Sequence, residues 1–545
     1  MPNQNPRRRP LFSPPPAAMD PPQPLIGISM SDMQATMERG GMDRGTLDLG
    51  FNMLLYLVYD YIPKPPVSPA APLPLSGPSS APDGVDRIST LPDAALANIV
   101  SRLPAKEAAR TAALASRWRS LWHSAPLAVV DAHFLPDGGA RGPLVIGAPS
   151  PREVTAAVTR ALASHPGPFR CVHLTCSTMD EHRGEMARWL DVLAAKGVQE
   201  LIFVNRPWPM DLRLPTTLFS CASLTRLYLG VWRLPDTGAV PRRAAFPNLR
   251  ELGLCFTVME DRDLAFMLER SPVLEILTIM GSQSGVRLRL VSHSLRCVQL
   301  SYSHLEDIDV VDAPRLERLF QWTTLGQHSS TGRKRRSRIK IGHAPNLGLL
   351  GYLDPGDNEM EISNTVIVAG TKENIVPSVK TLAYEVQFGV RNAIKKMPCS
   401  LRCFPNLETL HVQSKKNAEP TGKVNLKFWE EGGPIKCVLQ AMKKVFFYEF
   451  RGLRSEVAFL KFIAERGRVL EKMVVVVASE CFSSGGDVNA KLKPLTSAKW
   501  NSKACKLQLF KSPRKEGGVP VFSHRLASEF SIADPFDLIY YQESL

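Results

Sequence analysis

The chain has 545 residues, a formal net charge of +15 and 44% hydrophobic content, enough for about two to four domains of roughly 100 to 200 residues. The positive balance suits acidic proteins, nucleic acid or an anionic surface and selects none of them. Ten cysteines without dense, even spacing argue against a disulfide-stapled secreted scaffold and fit reduced thiols in the nucleus or cytoplasm.

Residues 1–84 read as a disordered Pro-rich extension and linker. Arg7 to Arg9 precede PLFSPPPAAMDPPQP, from which no apolar signal-peptide core can be built. The run FNMLLYLVYDYI at 51–62 carries Asp60 and falls short of the roughly 18 apolar residues of a membrane span. No transmembrane helix is expected. An amphipathic contact of this run with a partner or with the folded domain is. Residues 63–84 are an extended proline-rich spacer.

Residues 85–127 read as three short helices. Pro92 suits a first turn, and Leu96, Ile99, Val100 and Leu103 follow at helical offsets on one face. Pro104 opens a second helix through Ala112. A third carries Leu114, Trp118, Leu121 and Trp122 as its apolar stripe, with Arg110, Arg117 and Arg119 facing elsewhere. Units below about forty residues rarely close a core without staples or metal, and this one has no cysteine. Its core must be completed by the rest of the chain or by another protein.

The run DRISTLPDAALANIVSRLP followed by AARTAALASRWRSLW resembles the F-box in its plant form. Leu91 and Pro92 match the family's Leu-Pro pair, Leu96, Ile99, Leu103 and Pro104 its next positions, and Arg117, Trp118, Leu121 and Trp122 its Arg-Trp element. The resemblance implies that these residues and Leu114 bind a Skp-type adaptor, and through it a cullin scaffold. Alanines at 108, 109, 112, 113 and 115 depart from the pattern by reducing the area available for burial.

From 165 to 425 the motif L-x-x-L-x-L recurs: Leu224, Leu227, Leu229; Leu249, Leu252, Leu254; Leu274, Leu277, Ile279; Leu295, Val298, Leu300; and Leu316, Leu319 with Gln321 in third place. Starts at 224, 249, 274, 295 and 316 fall 25, 25, 21 and 21 residues apart, the period of leucine-rich repeats. Weaker copies begin at Phe169, Val198, Leu347, Val379, Leu407, Met442 and Leu470. Leu264, Met267 and Leu268 have the spacing of a helix on the outer side. Trp232 and Thr257 stand where ideal repeats carry Asn or Cys, so an irregular arc is expected. The fold class is therefore α/β, a three-helix F-box followed by an irregular leucine-rich-repeat horseshoe.

Residues 426–480 are similar to the FBD region that accompanies such repeats in plant proteins, at Phe447, Phe450, Gly452, Glu456, Phe459, Leu460, Phe462, Leu470 and Met473. The periodicity independently reads strand, helix, strand, a unit able to cap the solenoid. SSGGDVNA reads as loop, and 481–545 as a poorly defined tail.

No catalytic constellation emerges. GSQSG at 281–285 has Gln283 where a nucleophile elbow needs serine. Cys171, His173, Cys176 and His182, like Cys399, Cys403 and His411, lack the paired spacing of a structural metal site. No metal, cofactor or enzyme activity is expected. The basic run GRKRRSRIK, with Arg333, Lys334, Arg335, Arg336 and Arg338, reads as a loop and a candidate nuclear-import signal. It lacks the interleaved aromatics of a nucleic-acid surface. The favoured function is a non-catalytic substrate receptor of a Skp-cullin-F-box ubiquitin ligase whose repeats hold an unknown protein target, acting in the nucleus or cytoplasm. The alternative is an interaction scaffold without a ligase role, or one touching nucleic acid through the basic run.

Overall fold

The computed structural model of the protein describes residues 54–67, 88–135, 152–177, 183–205, 212–322, 337–416, 433–512 and 524–537, short gaps aside, with Gly41 and Trp429. Helix α1 covers 54–61. Then come α2 (Asp93–Ser101), α3 (Ala105–Thr111), α4 (Ser116–Ser124) and strand β1 (Leu127–Val130). Pro92 and Pro104 stand just before α2 and α3, where a missing N–H costs nothing. Ala115 is extended at φ −164°, so α4 begins at Ser116 and Leu114 lies in the turn before it.

The repeats begin with α5 (Arg152–Ser164) and β2 (Phe169–Leu174), then α6 (Arg183–Ala195) and β3 (Glu200–Val204). β4 (Arg226–Gly230), β5 (Glu251–Cys255), α7 (Asp261–Glu269) and β6 (Ile276–Met280) follow. Next, β7 (Leu288–Val291), β8 (Cys297–Ser301), β9 (Asp307–Asp312) and β10 (Arg318–Trp322) succeed one another without a helix. So do β11 (Ser337–His343), β12 (Leu349–Leu353), β13 (Asn358–Ile362), β14 (Thr365–Val368) and β15 (Thr371–Asn374). Alternation resumes with β16 (Thr381–Val386), α8 (Arg391–Arg402), β17 (Thr409–Ser414), α9 (Lys436–Gln440) and β18 (Lys444–Phe450). The last elements are α10 (Arg454–Arg466), β19 (Lys472–Val477), α11 (Gly485–Thr496), β20 (Lys506–Lys511) and α12 (His524–Ser528).

Fourteen strands form one parallel sheet in the order β1-β2-β3-β4-β5-β6-β8-β10-β12-β16-β17-β18-β19-β20. Register follows the sequence motif: Leu227 pairs with Leu252, Leu252 with Leu277, Leu277 with Val298 and Val298 with Leu319. These side chains enter one continuous core beneath the sheet, shared with the outer helices. Between β6 and β16 the place of the outer helices is taken, among the described residues, by a second parallel sheet, β13-β11-β9-β7, whose Leu288, Leu290, Ile308, Val310, Ile339 and Ile341 join the same core. Trp232 and Thr257 still link neighbouring repeats, through the indole N–H donating to the Phe203 carbonyl at 2.8 Å and the Thr257 hydroxyl to Leu229 at 3.4 Å.

Three expectations are corrected. The extension is not wholly unstructured, since α1 packs on the large sheet through Leu55, Val58, Tyr61 and Ile62. The end of the basic run is strand β11, because Ile339 and Ile341 enter the core while Arg338 and Lys340 alternate outward. Arg333, Lys334, Arg335 and Arg336 lie outside the described residues. The chain beyond 481 is ordered in large part: GGDVNA opens α11, where Ser484 and Asp487 exchange a capping box, and β20 adds a strand beyond the FBD-like unit.

Candidate protein-interaction sites

The three-helix unit closes its core against its own chain. Leu96, Val100, Trp118 and Leu121 are buried together with Leu127 and Val129 of β1. Arg170, at the start of β2, donates to the Ser101 carbonyl, and the Trp122 ring meets His165 edge-on at 4.8 Å. Arg117 does not face away as its spacing implies. Its guanidinium donates to Asp93 at 2.8 Å and to the carbonyls of Ser89 at 2.5 Å and Leu91 at 2.6 Å, pinning α4 to the entry of α2.

The eleven residues assigned to an adaptor therefore divide. Leu96, Trp118 and Leu121 are buried within the chain, at 0%, 9% and 5% exposure, so most of their surface is spent on the chain's own core rather than offered to an adaptor. Leu91, Leu103, Pro104, Arg117 and Trp122 are half-buried, and Pro92 is exposed. Ile99 and Leu114 are large apolar side chains with 41% and 68% exposure, and Ile88, missed in the sequence, has 56%. Periodicity puts Ile99 beside Leu96 and Val100, and only the packing of β1 on α2 and α3 reveals which of them is spent internally.

The second site is the sheet face opposite the helices, concave in a horseshoe whose bulkier layer lies outside. Strands β3 to β6 show the same burial, half-buried at the first residue and buried at the next four, so both faces are covered. The cover is the chain itself. Helix α1 lies over Ile202, Val204, Tyr228, Cys255 and Met280, and Val67 continues over Ala128 and Cys171. Residues 527–536 lie over Cys297, Phe320, Tyr352, Phe446 and Tyr448. The two meet where Tyr61 stacks on His524 at 4.2 Å.

The C-terminal cover is held by polar readout as well as burial. Arg318, 4% exposed, donates to the main-chain carbonyls of Ala527 at 2.9 Å, Glu529 at 3.1 Å, Phe530 at 3.5 Å and Ile532 at 2.7 Å. Phe530 lies 3.7 Å beneath the Arg296 guanidinium. His411 meets Asp534 at 3.0 Å, and Tyr448 donates to the Phe536 carbonyl at 3.1 Å. Burial would raise the Asp534 carboxyl, yet His411 and the Phe536 N–H hold it below its ordinary value. The Phe536 ring stands edge-on to Phe320 at 5.3 Å and to Tyr352 at 5.1 Å.

Among the described residues no group of three or more His, Cys, Asp or Glu could hold a metal, and no helix is long and apolar enough to cross a membrane. All ten cysteines are free. Cys171 and Cys176 are buried, and His182 lies outside the described residues. His411 is engaged with Asp534 rather than with Cys399 or Cys403. Gly281, at φ +66°, directly follows β6.

Comparison with known proteins agrees with this anatomy. Residues 88–129 match the F-box domain, 186–412 the repeats of the FBD-associated F-box protein At5g56370 family, and 430–475 the FBD. The Arabidopsis thaliana F-box/LRR-repeat protein 13 is 24% identical over 72% of this chain and 90% of its own length. The F-box/FBD/LRR-repeat protein At1g13570 of the same plant is 25% identical over 72% and 91%, and the F-box/LRR-repeat protein At3g26922 is 31% identical over 31% and 51%. The chain thus carries an F-box domain, leucine-rich repeats and an FBD region, the three parts that the name of At1g13570 joins.

Proposed function

We propose that the protein is a non-catalytic substrate receptor of a Skp-cullin-F-box ubiquitin ligase, with the F-box taking a Skp-type adaptor and the repeats taking a protein target. The observation that carries the reading is the exposure of Ile88, Ile99 and Leu114 on a unit whose other large apolar side chains are buried or half-buried. Exposed apolar groups of this kind suit a helical protein partner. A nuclear or cytosolic site of action accords with ten free thiols, and the basic run at 333–338 would serve import.

Capture of the adaptor by the purified full chain tests this. The double variant Ile99→Asp, Leu114→Asp should lose adaptor binding at least tenfold while melting as the wild type does, because neither side chain is buried. Retention of the adaptor by a folded double variant would sink the reading and favour a scaffold without a ligase role.

A further inference from the structure

The cover over β8 to β19 is attached as a peptide is attached to a receptor. Arg318 reads four carbonyls of the covering segment, where it leaves α12 and turns at 530–531, contacts that carry no side-chain information and would serve any chain of that shape. Specificity comes from three side chains: Phe530 under Arg296 and Arg318, Asp534 on His411, and Phe536 in an aromatic box. The groove also holds acceptors that the resident segment leaves unused. The amide oxygens of Gln299 and Gln413, both buried at positions on this face, have no hydrogen-bond partner among the described residues. Main-chain N–H groups of a longer or differently placed peptide would supply one.

We propose that this face is a peptide-binding groove, occupied in the resting chain by its own residues 527–536, and that protein targets enter it as segments of the same turned shape, with the pattern aromatic, acidic, aromatic of Phe530, Asp534 and Phe536. The proposal rests on the receptor reading and names the kind of target it would take. Tethering gives the resident segment an effective concentration of the order of millimolar, so a target must bind more tightly than the tail or be presented multivalently. The tail thereby sets a threshold for target entry.

The test uses a fluorescent peptide of sequence LASEFSIADPFD, residues 526–537, and the full chain. The variant Asp534→Ala, Phe536→Ala vacates the groove and should bind the peptide at least tenfold more tightly than the wild type does. Adding His411→Ala to that variant should weaken the peptide at least tenfold, as should replacing Asp and Phe in the peptide. Equal affinity for wild type and vacated chain, or binding to neither, overturns the proposal. The wild type provides a readout that does not depend on the variant folding: saturating peptide should speed hydrogen exchange across the chain's own 526–537, and unchanged exchange overturns it too. Adaptor capture is scored separately. Adaptor binding without peptide binding removes only the groove, and peptide binding without the adaptor removes only the ligase reading.

Discussion

The F-box and the open face of the repeat sheet both display large apolar side chains, but the chain treats them oppositely. Over the sheet it lays α1 and residues 524–537, so that Phe320, Tyr352, Phe446 and Tyr448 are buried. Over Ile88, Ile99 and Leu114 the described residues lay nothing comparable, and these remain 41% to 68% exposed. Exposed apolar area is a liability unless a partner removes it. On the proposed function, the F-box surface is the one left open for the adaptor and the sheet face the one a target must uncover.

The largest effect belongs to the seam between the two regions. Trp118 is 9% exposed and belongs to the core that the F-box helices share with β1, so Trp118→Ala should cost about 3–5 kcal/mol, the usual range for deleting a buried aromatic ring. Leu114→Ala, at 68% exposure, should stay within about 0.5 kcal/mol. Urea unfolding of both variants checks the contrast. Similar losses for the two would show that Leu114 is covered and that the division drawn here is wrong.

How much of this was legible depended on whether the signal was local. The repeat strands were, since Leu227, Leu252 and Leu277 carry a period that parallel pairing in register makes continuous. So was the FBD-like strand, helix and strand, seen at β18, α10 and β19. What escaped was set by contacts between residues far apart in sequence. Arg318 binds Ala527 and Ile532, and His411 binds Asp534, across separations that no periodicity encodes. One hint was present: Val474 to Val477 and Val445 to Tyr448 are apolar or aromatic at successive positions, which in a sheet means burial on both faces rather than one. In the F-box, Leu96 and Ile99 look alike in sequence, and β1 alone decides that the first is internal and the second free.

Acidification probes the guarded face. Burial, with Arg226 and His133 nearby, pushes His173 down to about 3, and burial with Arg525 nearby pushes His524 down to about 4. Both stay neutral in the fold while the unfolded chain takes up protons below about pH 6.5. The unfolded state then binds more protons, so stability is level above pH 6.5 and falls as the pH drops from there toward 4. At pH 5 each histidine should cost about 2 kcal/mol, from 1.5 pH units at 1.36 kcal/mol each. Urea midpoints at pH 7.5, 6.5 and 5.0 measure it. His524→Phe keeps a ring against Tyr61 and should flatten part of the slope, whereas an unchanged midpoint at pH 5.0 in the wild type would contradict the burial of both rings.

The smallest effect isolates α1 from the rest of the guard. At Gly230 an added Cβ would stand 3.0 Å from a methyl of Val58 and 3.0 Å from one of Val204, so a side chain there makes the helix or the neighbouring strand give by a few tenths of an ångström. Gly230→Ala should cost about 1 kcal/mol, at the low end of overpacking, and the cost should fall on α1 because the helix can lift while the strand cannot. Hydrogen exchange should quicken across 54–62 and stay unchanged in α2 to α4, leaving adaptor capture as it was. Val58→Ala in the same chain gives the methyl room and should restore part of the protection. If exchange in 54–62 does not respond to Gly230→Ala, the helix does not rest on that strand, and the open face is guarded at its C-terminal half alone.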